Sequence, residues 1–373
     1  MCILCTPLSQ DQVDAIWNVE CEGCPNLTII PDLPLLRHLR CAGCPNLTTI
    51  PVLPNLVMLC SDDCPLLTAI PESPRLETLF CRDCPLLVSI GGVPNLLRLD
   101  CSLCPLLTVI PDSPRLAMLA FDHCPLITAL PLLSNLSDLS CDGCSALALL
   151  PPALSSLTRL HCRNCPLLAV LPVMPQLRFL DCSGCNLLVT VPELPVAAYL
   201  RCANCPLLAS LPSFPVLVKL FCVECPALAT IPECPKLESL ICWRSPLLVT
   251  VPMFPLLTNL SCCESPCVRA IPDLPLLETL FVDGCPSLAS LPTLPKLKRL
   301  VCDLGIDHPR NEHLPVAQLT AIILSRRRLK KLRWMRFKKF ISTPQYSAYL
   351  NSPGHIGHRI ETAQLRKMVS ERT

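Results

Sequence analysis

Aromatic residues are scarce in this chain, at 4% of 373 positions, so its interior cannot be organised around large rings as most globular cores are. Glycine is almost as thin, with ten residues. None of them forms a phosphate-cradling glycine loop or a Gly-x-Ser-x-Gly nucleophile turn. The seven histidines do not converge along the chain with acids or nucleophiles. Catalysis therefore has no candidate residues, and no cofactor or small-molecule substrate is expected. Met1-Cys2-Ile3-Leu4-Cys5-Thr6-Pro7 lacks the basic segment and apolar stretch of a secretory leader. The longest run without charge, Ser245 to Cys263, is interrupted by Pro246, Pro252 and Pro255, so no membrane span is expected.

What the chain does have is cysteine, proline and leucine in regular alternation. Its 43 prolines would suggest disorder if they were scattered among polar residues, but 51% of the chain is hydrophobic and the prolines are periodic. At a period of 20 residues, Leu36-x-x-Leu39-x-Cys41-x-x-Cys44-Pro45-x-Leu47-x-x-Ile50-Pro51-x-Leu53-Pro54 lines up with its neighbours. Fifteen units succeed one another between about residues 13 and 308, with one extra residue near Pro151-Pro152. The first cysteine column runs from Cys21 to Cys302 and is filled by Ser61, Phe121 and Val282 where cysteine is absent.

Within each unit, alternation around Leu39 and Cys41 predicts a short strand whose alternate residues face inward. Successive strands then stack in parallel about 4.8 Å apart. Proline fixes φ and removes a donor, so the Ile-Pro-x-Leu-Pro half should return as extended chain or tight turn rather than helix. Ser9 and Gln12 have the spacing of a capping box, which predicts a small capping helix before the first unit.

The segment Leu36-x-x-Leu39-x-Cys41-x-x-Cys44 resembles the leucine-rich-repeat family, with Cys41 in a leucine position and Cys44 in the Asn/Cys position. The resemblance covers about four-fifths of the chain. It implies a curved solenoid with a parallel β-sheet on its concave face, polyproline II or turn returns on the convex face and a small helical C-terminal segment. The short Leu-Pro units look like those of bacterial effectors, and the Cys-Pro-rich units followed by a basic segment look like repeat proteins of large amoeba-infecting DNA viruses. The function this resemblance implies is that of a non-catalytic scaffold that binds protein on its concave face. The expected organisation is an N-terminal cap at 1–12, the solenoid at 13–308 and a basic, partly helical tail at 309–373.

Thirty cysteines in a chain without a leader point to an intracellular, reducing compartment, the host cytoplasm if the chain is viral. The Cys-x-x-Cys pairs from Cys2/Cys5 to Cys222/Cys225 invite a zinc or redox reading. Both columns face inward in the alignment, however, and Phe121, Val282 and Ser245 replace cysteine without evident compensation, so structural cysteines are expected and no metal. Cys302, His308 and His313 form the best local His/Cys group and lack a fourth ligand. Cys60-Ser61-Asp62 has the Cys-x-Asp spacing of a bacterial ligase family but lies inside a repeat.

The informative positions are the outward ones on the concave strands. Between 159 and 244 they read Arg159, His161, Arg163, Phe179, Asp181, Tyr199, Arg201, Lys219, Phe221, Trp243 and Arg244. Aromatic and arginine side chains of this kind dominate binding energy at interfaces, so this stretch is the expected partner site. Elsewhere the same positions carry acids: Glu20, Glu22, Asp62, Asp83, Asp100, Asp122, Asp138 and Asp142.

The net charge of +2 conceals a division: residues 1–325 carry 18 basic against 27 acidic side chains, and residues 326–373 carry 13 against 2. Arg326, Arg327, Arg328, Lys330, Lys331, Arg333, Arg336, Lys338 and Lys339 are interleaved with Leu329, Leu332, Trp334, Met335 and Phe337 and with no acid. This is the pattern of a basic amphipathic helix suited to nucleic acid or an anionic membrane. The alternative function is therefore an adaptor in which the tail binds and the repeats act as spacer.

Overall fold

The computed structural model describes residues 3–5, 9–152, 154–288 and 291–302. Expectations for the basic segment, the C-terminal helix, His308 and His313 lie outside these residues. The solenoid lies within the first of two compact units, Met1–Glu312.

Fifteen short strands form one parallel sheet in which each pairs with the strand one unit before and one unit after it. The first is Asn18–Glu20 and the last Arg299–Cys302. Register follows the 20-residue period, with Leu39 opposite Leu59 and Leu59 opposite Leu79. The extra residue near Pro151-Pro152 is absorbed in the return, because Leu160 still pairs with Leu139 and with Leu180. The described chain is thus a parallel β-solenoid with almost no helix.

One unit shows why. Leu33, Leu36, Leu39, Cys41, Cys44, Leu47, Ile50 and Leu53 are all buried, and equivalent positions stack above and below them. Each buried aliphatic side chain contributes on the order of 2 kcal/mol through its removal from water. Proline sets the corners. Pro34 and Pro45 sit second in two tight turns, closed by bonds from Leu36 N–H to the Leu33 carbonyl (3.1 Å) and from Leu47 N–H to the Cys44 carbonyl (3.3 Å). A fixed φ near −65° suits that turn position, and the missing donor is not needed there. Between the corners the described return segments form no helix, as the prolines predict.

A third corner is not apparent from the sequence. Two residues after the first cysteine column the backbone is left-handed in every unit whose corner lies among the described residues, as at Asp63 (φ 53°), Leu103 (61°), His123 (56°) and Gly143 (72°). Side chains rarely adopt this conformation, and Asp, Asn and Gly adopt it most readily. At Gly143 a Cβ would also meet the His123 ring at 2.5 Å. The corner persists with mixed residue types because its neighbours hold it: the Gly43 N–H donates to the Asp62 carbonyl at 2.8 Å, and the Asp63 N–H to that of Arg82 at 2.8 Å.

At the N-terminus, Ser9 and Gln12 do form a capping box on the short helix Gln10–Val13. That helix buries none of its residues.

Candidate functional site

The two cysteine columns face inward, but they differ in what they bond. Each second-column thiol donates to the backbone carbonyl of the first-column residue one unit earlier: Cys44 to Cys21 (3.1 Å), Cys104 to Cys81 (3.1 Å), Cys225 to Cys202 (2.8 Å) and Cys285 to Cys262 (2.9 Å). Ser265 does the same through its hydroxyl, to Cys242 at 3.2 Å. The Ser245 hydroxyl, in contrast, is buried without a hydrogen-bond partner, so serine is compensated in this column at 265 and not at 245. First-column thiols make only longer contacts, such as Cys101 to the Ala120 carbonyl at 3.7 Å. Phe121 and Val282 fill that column without any polar atom.

Burial holds most of these thiols protonated, although the hydrogen bonds that Cys64, Cys165 and Cys225 share with Cys41, Cys141 and Cys202 lower those three. It pushes Cys81 and Cys101 well above the ordinary thiol range, Cys84 to about 12 and Cys104 to about 11. A thiolate is the form that binds metal or attacks, so the thiols raised in this way are chemically quiet. Among the described residues no group of three or more His, Cys, Asp or Glu side chains could hold a metal ion. None of their helices is long and apolar enough to cross a membrane.

The outward side of the sheet is where unlike side chains meet. His161, Phe179, Tyr199 and Phe221 come from four consecutive strands and stack in sequence, with ring centroids 4.6, 4.6 and 5.3 Å apart. The run is diagonal: Phe179 and Tyr199 are directly paired, while His161 and Phe221 stand two residues along their own strands, opposite Asp181 and Arg201. Linear columns of sequence do not reveal a diagonal contact, although the frequency of rings in this stretch did.

Beside the rings lies a charged network centred on Asp181, whose exposure is 2%. Arg163 Nε is 3.3 Å and Arg201 Nε 4.0 Å from its carboxylate, and the Ser183 hydroxyl donates to it at 2.7 Å. Arg163 also meets Asp142 at 3.1 Å, and Arg159 meets Asp138 at 3.6 Å. Burial pushes the Asp142 carboxyl up, against the lowering effect of the Arg163 N–H and guanidinium. Lys219 is exposed and has no ion pair among the described residues.

Not every sequence candidate lies on a strand. Arg159, His161, Phe179, Tyr199, Arg201, Lys219 and Phe221 do, whereas Arg163, Trp243 and Arg244 lie in the turn that comes next. Trp243 is 43% exposed and its indole N–H donates to Ser261. Arg244 occupies the left-handed corner and pairs with Glu224 and Glu264 one unit to either side. Several acids read as surface decoration are structural. Asp62 accepts the Arg82 N–H at 2.7 Å, Asp122 the Asp142 N–H at 2.7 Å, and Asp142 the Arg163 N–H at 2.6 Å.

No protein-family model matches the chain, and no curated protein matches it. Solved structures do resemble it. A functional domain of InlJ from Listeria monocytogenes, described as including a cysteine ladder, has 20% identity over 78% of this chain and 68% of its own, with a TM-score of 0.46. YopM from Yersinia enterocolitica has 22% identity over 77% of this chain and 91% of its own, with a TM-score of 0.36. A leucine-rich repeat protein from Bacteroides ovatus has 14% identity over 75% of this chain and 74% of its own, with a TM-score of 0.27.

Proposed function

We propose that this leucine-rich-repeat solenoid is a non-catalytic scaffold that binds a protein partner on the outward face of its sheet, between Arg159 and Arg244. The observation that carries this reading is the run of four stacked rings across four adjacent strands, bordered by arginines and a lysine. Rings held by one another lose little freedom on binding, and aromatic and arginine side chains anchor protein interfaces. The reading extends to a reducing compartment. The second-column thiols must stay protonated to donate to the carbonyls they reach, which an oxidising environment opposes.

The test is site-specific photocrosslinking of the full-length chain in an extract of its native source. A photoreactive residue at Tyr199 should trap a discrete protein adduct, and one at Val170, which is exposed on the return half, should not. Equal trapping from both positions, or trapping only from Val170, overturns the proposal.

A further inference from the structure

The arrangement of the ring run restricts what can lie on it. The centroid spacing of Phe179 and Tyr199, 4.6 Å with planes 10° apart, matches the separation of neighbouring strands, about 4.8 Å. The ring planes therefore stand across the sheet, and both faces of Phe179 and of Tyr199 are covered by the rings on the adjoining strands. His161 closes one end at 33° and Phe221 the other at 34°. What these two central rings leave for a partner is edge. An aromatic edge carries the positive side of the ring quadrupole and its C–H groups. It favours aliphatic groups and carboxylate oxygens, and it offers no open face on which a nucleobase could stack.

Charge around the strip has the same sign. The outward strand positions of these four strands are Arg159, His161, Phe179, Asp181, Tyr199, Arg201, Lys219 and Phe221. Asp181 is the only acid among them, and it is buried against Arg163 and Ser183. Lys219 faces outward without an ion pair among the described residues. Arg201 approaches Asp181 only to 4.0 Å, with Arg163 nearer the same oxygen. Strands before this stretch present acids instead, Glu20 and Asp100 among them.

We infer that the occupant of this strip is an extended acidic segment of a partner protein, with aliphatic side chains on the ring edges and carboxylates toward Lys219 and Arg201. About five extended residues span four strands, which is the reach of a short linear motif. This inference rests on the reading of the sheet face as the docking surface and adds the chemical class of the segment that docks there.

The test uses full-length protein and three photoreactive twelve-residue peptides of alternating composition: Glu with Leu, Gln with Leu, and Lys with Leu. Mass spectrometry locates the crosslinked residues, which separates the strip from the basic segment at 326–340. The expected result is crosslinking of the Glu/Leu peptide to the strands Arg159–His161 through Lys219–Phe221, at about five times the yield of either other peptide. Lys219→Glu should lower that yield by about fivefold, with the far-ultraviolet circular dichroism unchanged. Equal crosslinking of the Gln/Leu or Lys/Leu peptide on these strands leaves the docking face standing and overturns the acidic class. Displacement of the Glu/Leu peptide by a fifteen-nucleotide oligo-dT assigns the strip to nucleic acid and overturns the proposal. Crosslinks confined to other residues, or none from any peptide, also overturn it, and the Tyr199 trapping experiment then shows whether the docking face survives.

Discussion

The Cys225 thiol donates to the backbone carbonyl of Cys202, 2.8 Å away and one unit earlier in the solenoid. The same bond joins Cys104 to Cys81 and, through a hydroxyl, Ser265 to Cys242. The second column is therefore a column of donors and the first a column of fillers. This difference predicts opposite substitution rules. Cys104→Ser keeps a donor and should cost under about 1 kcal/mol, while Cys104→Val leaves a buried carbonyl unpaired and should cost about 1–3 kcal/mol. At Cys101 the order reverses, because its contact is long and Val adds apolar volume where Ser adds a hydroxyl. Denaturant unfolding of the four variants measures both orders, and the same order at both positions would refute the distinction.

Burial of the thiols also sets an alkaline limit on stability. Cys84 and Cys124 are pushed up to about 12, and Cys104 and Cys234 to about 11, each chiefly by burial. Unfolded thiols ionise near pH 8.5. Below that pH both states hold the proton and the contribution is complete. Above it the unfolded chain releases protons that the folded chain keeps, so stability falls as pH rises toward 11–12. Urea midpoints measured from pH 7 to 10.5 should decline progressively above about pH 8.5. A flat profile would show that the thiols are already ionised or oxidised in the native protein.

Most of the fold was readable because it is periodic. Leu39, Cys41 and Leu47 belong to columns that recur every 20 residues and stay buried from unit to unit, so a single inward pattern repeated many times became conspicuous. The left-handed corner was not readable, since Leu103, His123, Glu224 and Arg244 are residues that do not announce it, and hydrogen bonds between units hold it. The different roles of the cysteine columns left only a partial trace: Phe121 and Val282 substitute in the first alone, while serine stands in both, at Ser61 and at Ser245 and Ser265. The site was half readable. Composition identified Phe179, Tyr199 and Phe221, but the diagonal stacking depends on strand pairing, and the assignment of Arg163, Trp243 and Arg244 depended on where each three-residue strand ends.

Stacked units touch only their neighbours, so damage should remain local. Leu99 is buried between Leu79 and Leu119 in adjacent strands, and Leu99→Ala should cost about 2–5 kcal/mol. Hydrogen exchange should accelerate in the units around residue 99 and stay unchanged near residue 240. Uniform acceleration along the chain would show that the solenoid opens as one cooperative body.

Phe221 and Trp243 separate two versions of the docking site. The Phe221 ring is part of the stacked run, whereas Trp243 stands in the turn after the next strand and bonds Ser261. With the partner trapped through Tyr199, Phe221→Ala should weaken binding by about 2 kcal/mol. Trp243→Ala should cost a similar amount if the partner reaches over the turn, and under about 0.5 kcal/mol if it stays on the strands. Titration calorimetry gives both values, and full affinity in both variants would move the anchor off this face.

The basic segment calls for a different measurement, because its expected partner is recognised by charge alone. Nine cations between Arg326 and Lys339 are accompanied by no acid, while residues 1–325 carry an excess of nine acids. Counterions released from a single-stranded RNA would give a log-log salt slope of about −6 if all nine cations engage. The comparison is full-length protein against a variant with the nine cations replaced by glutamine, binding a twenty-nucleotide RNA or anionic vesicles between 50 and 300 mM salt. The variant should lose binding to both while its sheet-face crosslinking persists. If full-length protein and variant bind alike, the segment does not engage anions and the adaptor reading is excluded. If sheet-face crosslinking disappears with the cations, the segment and the repeats act as one site.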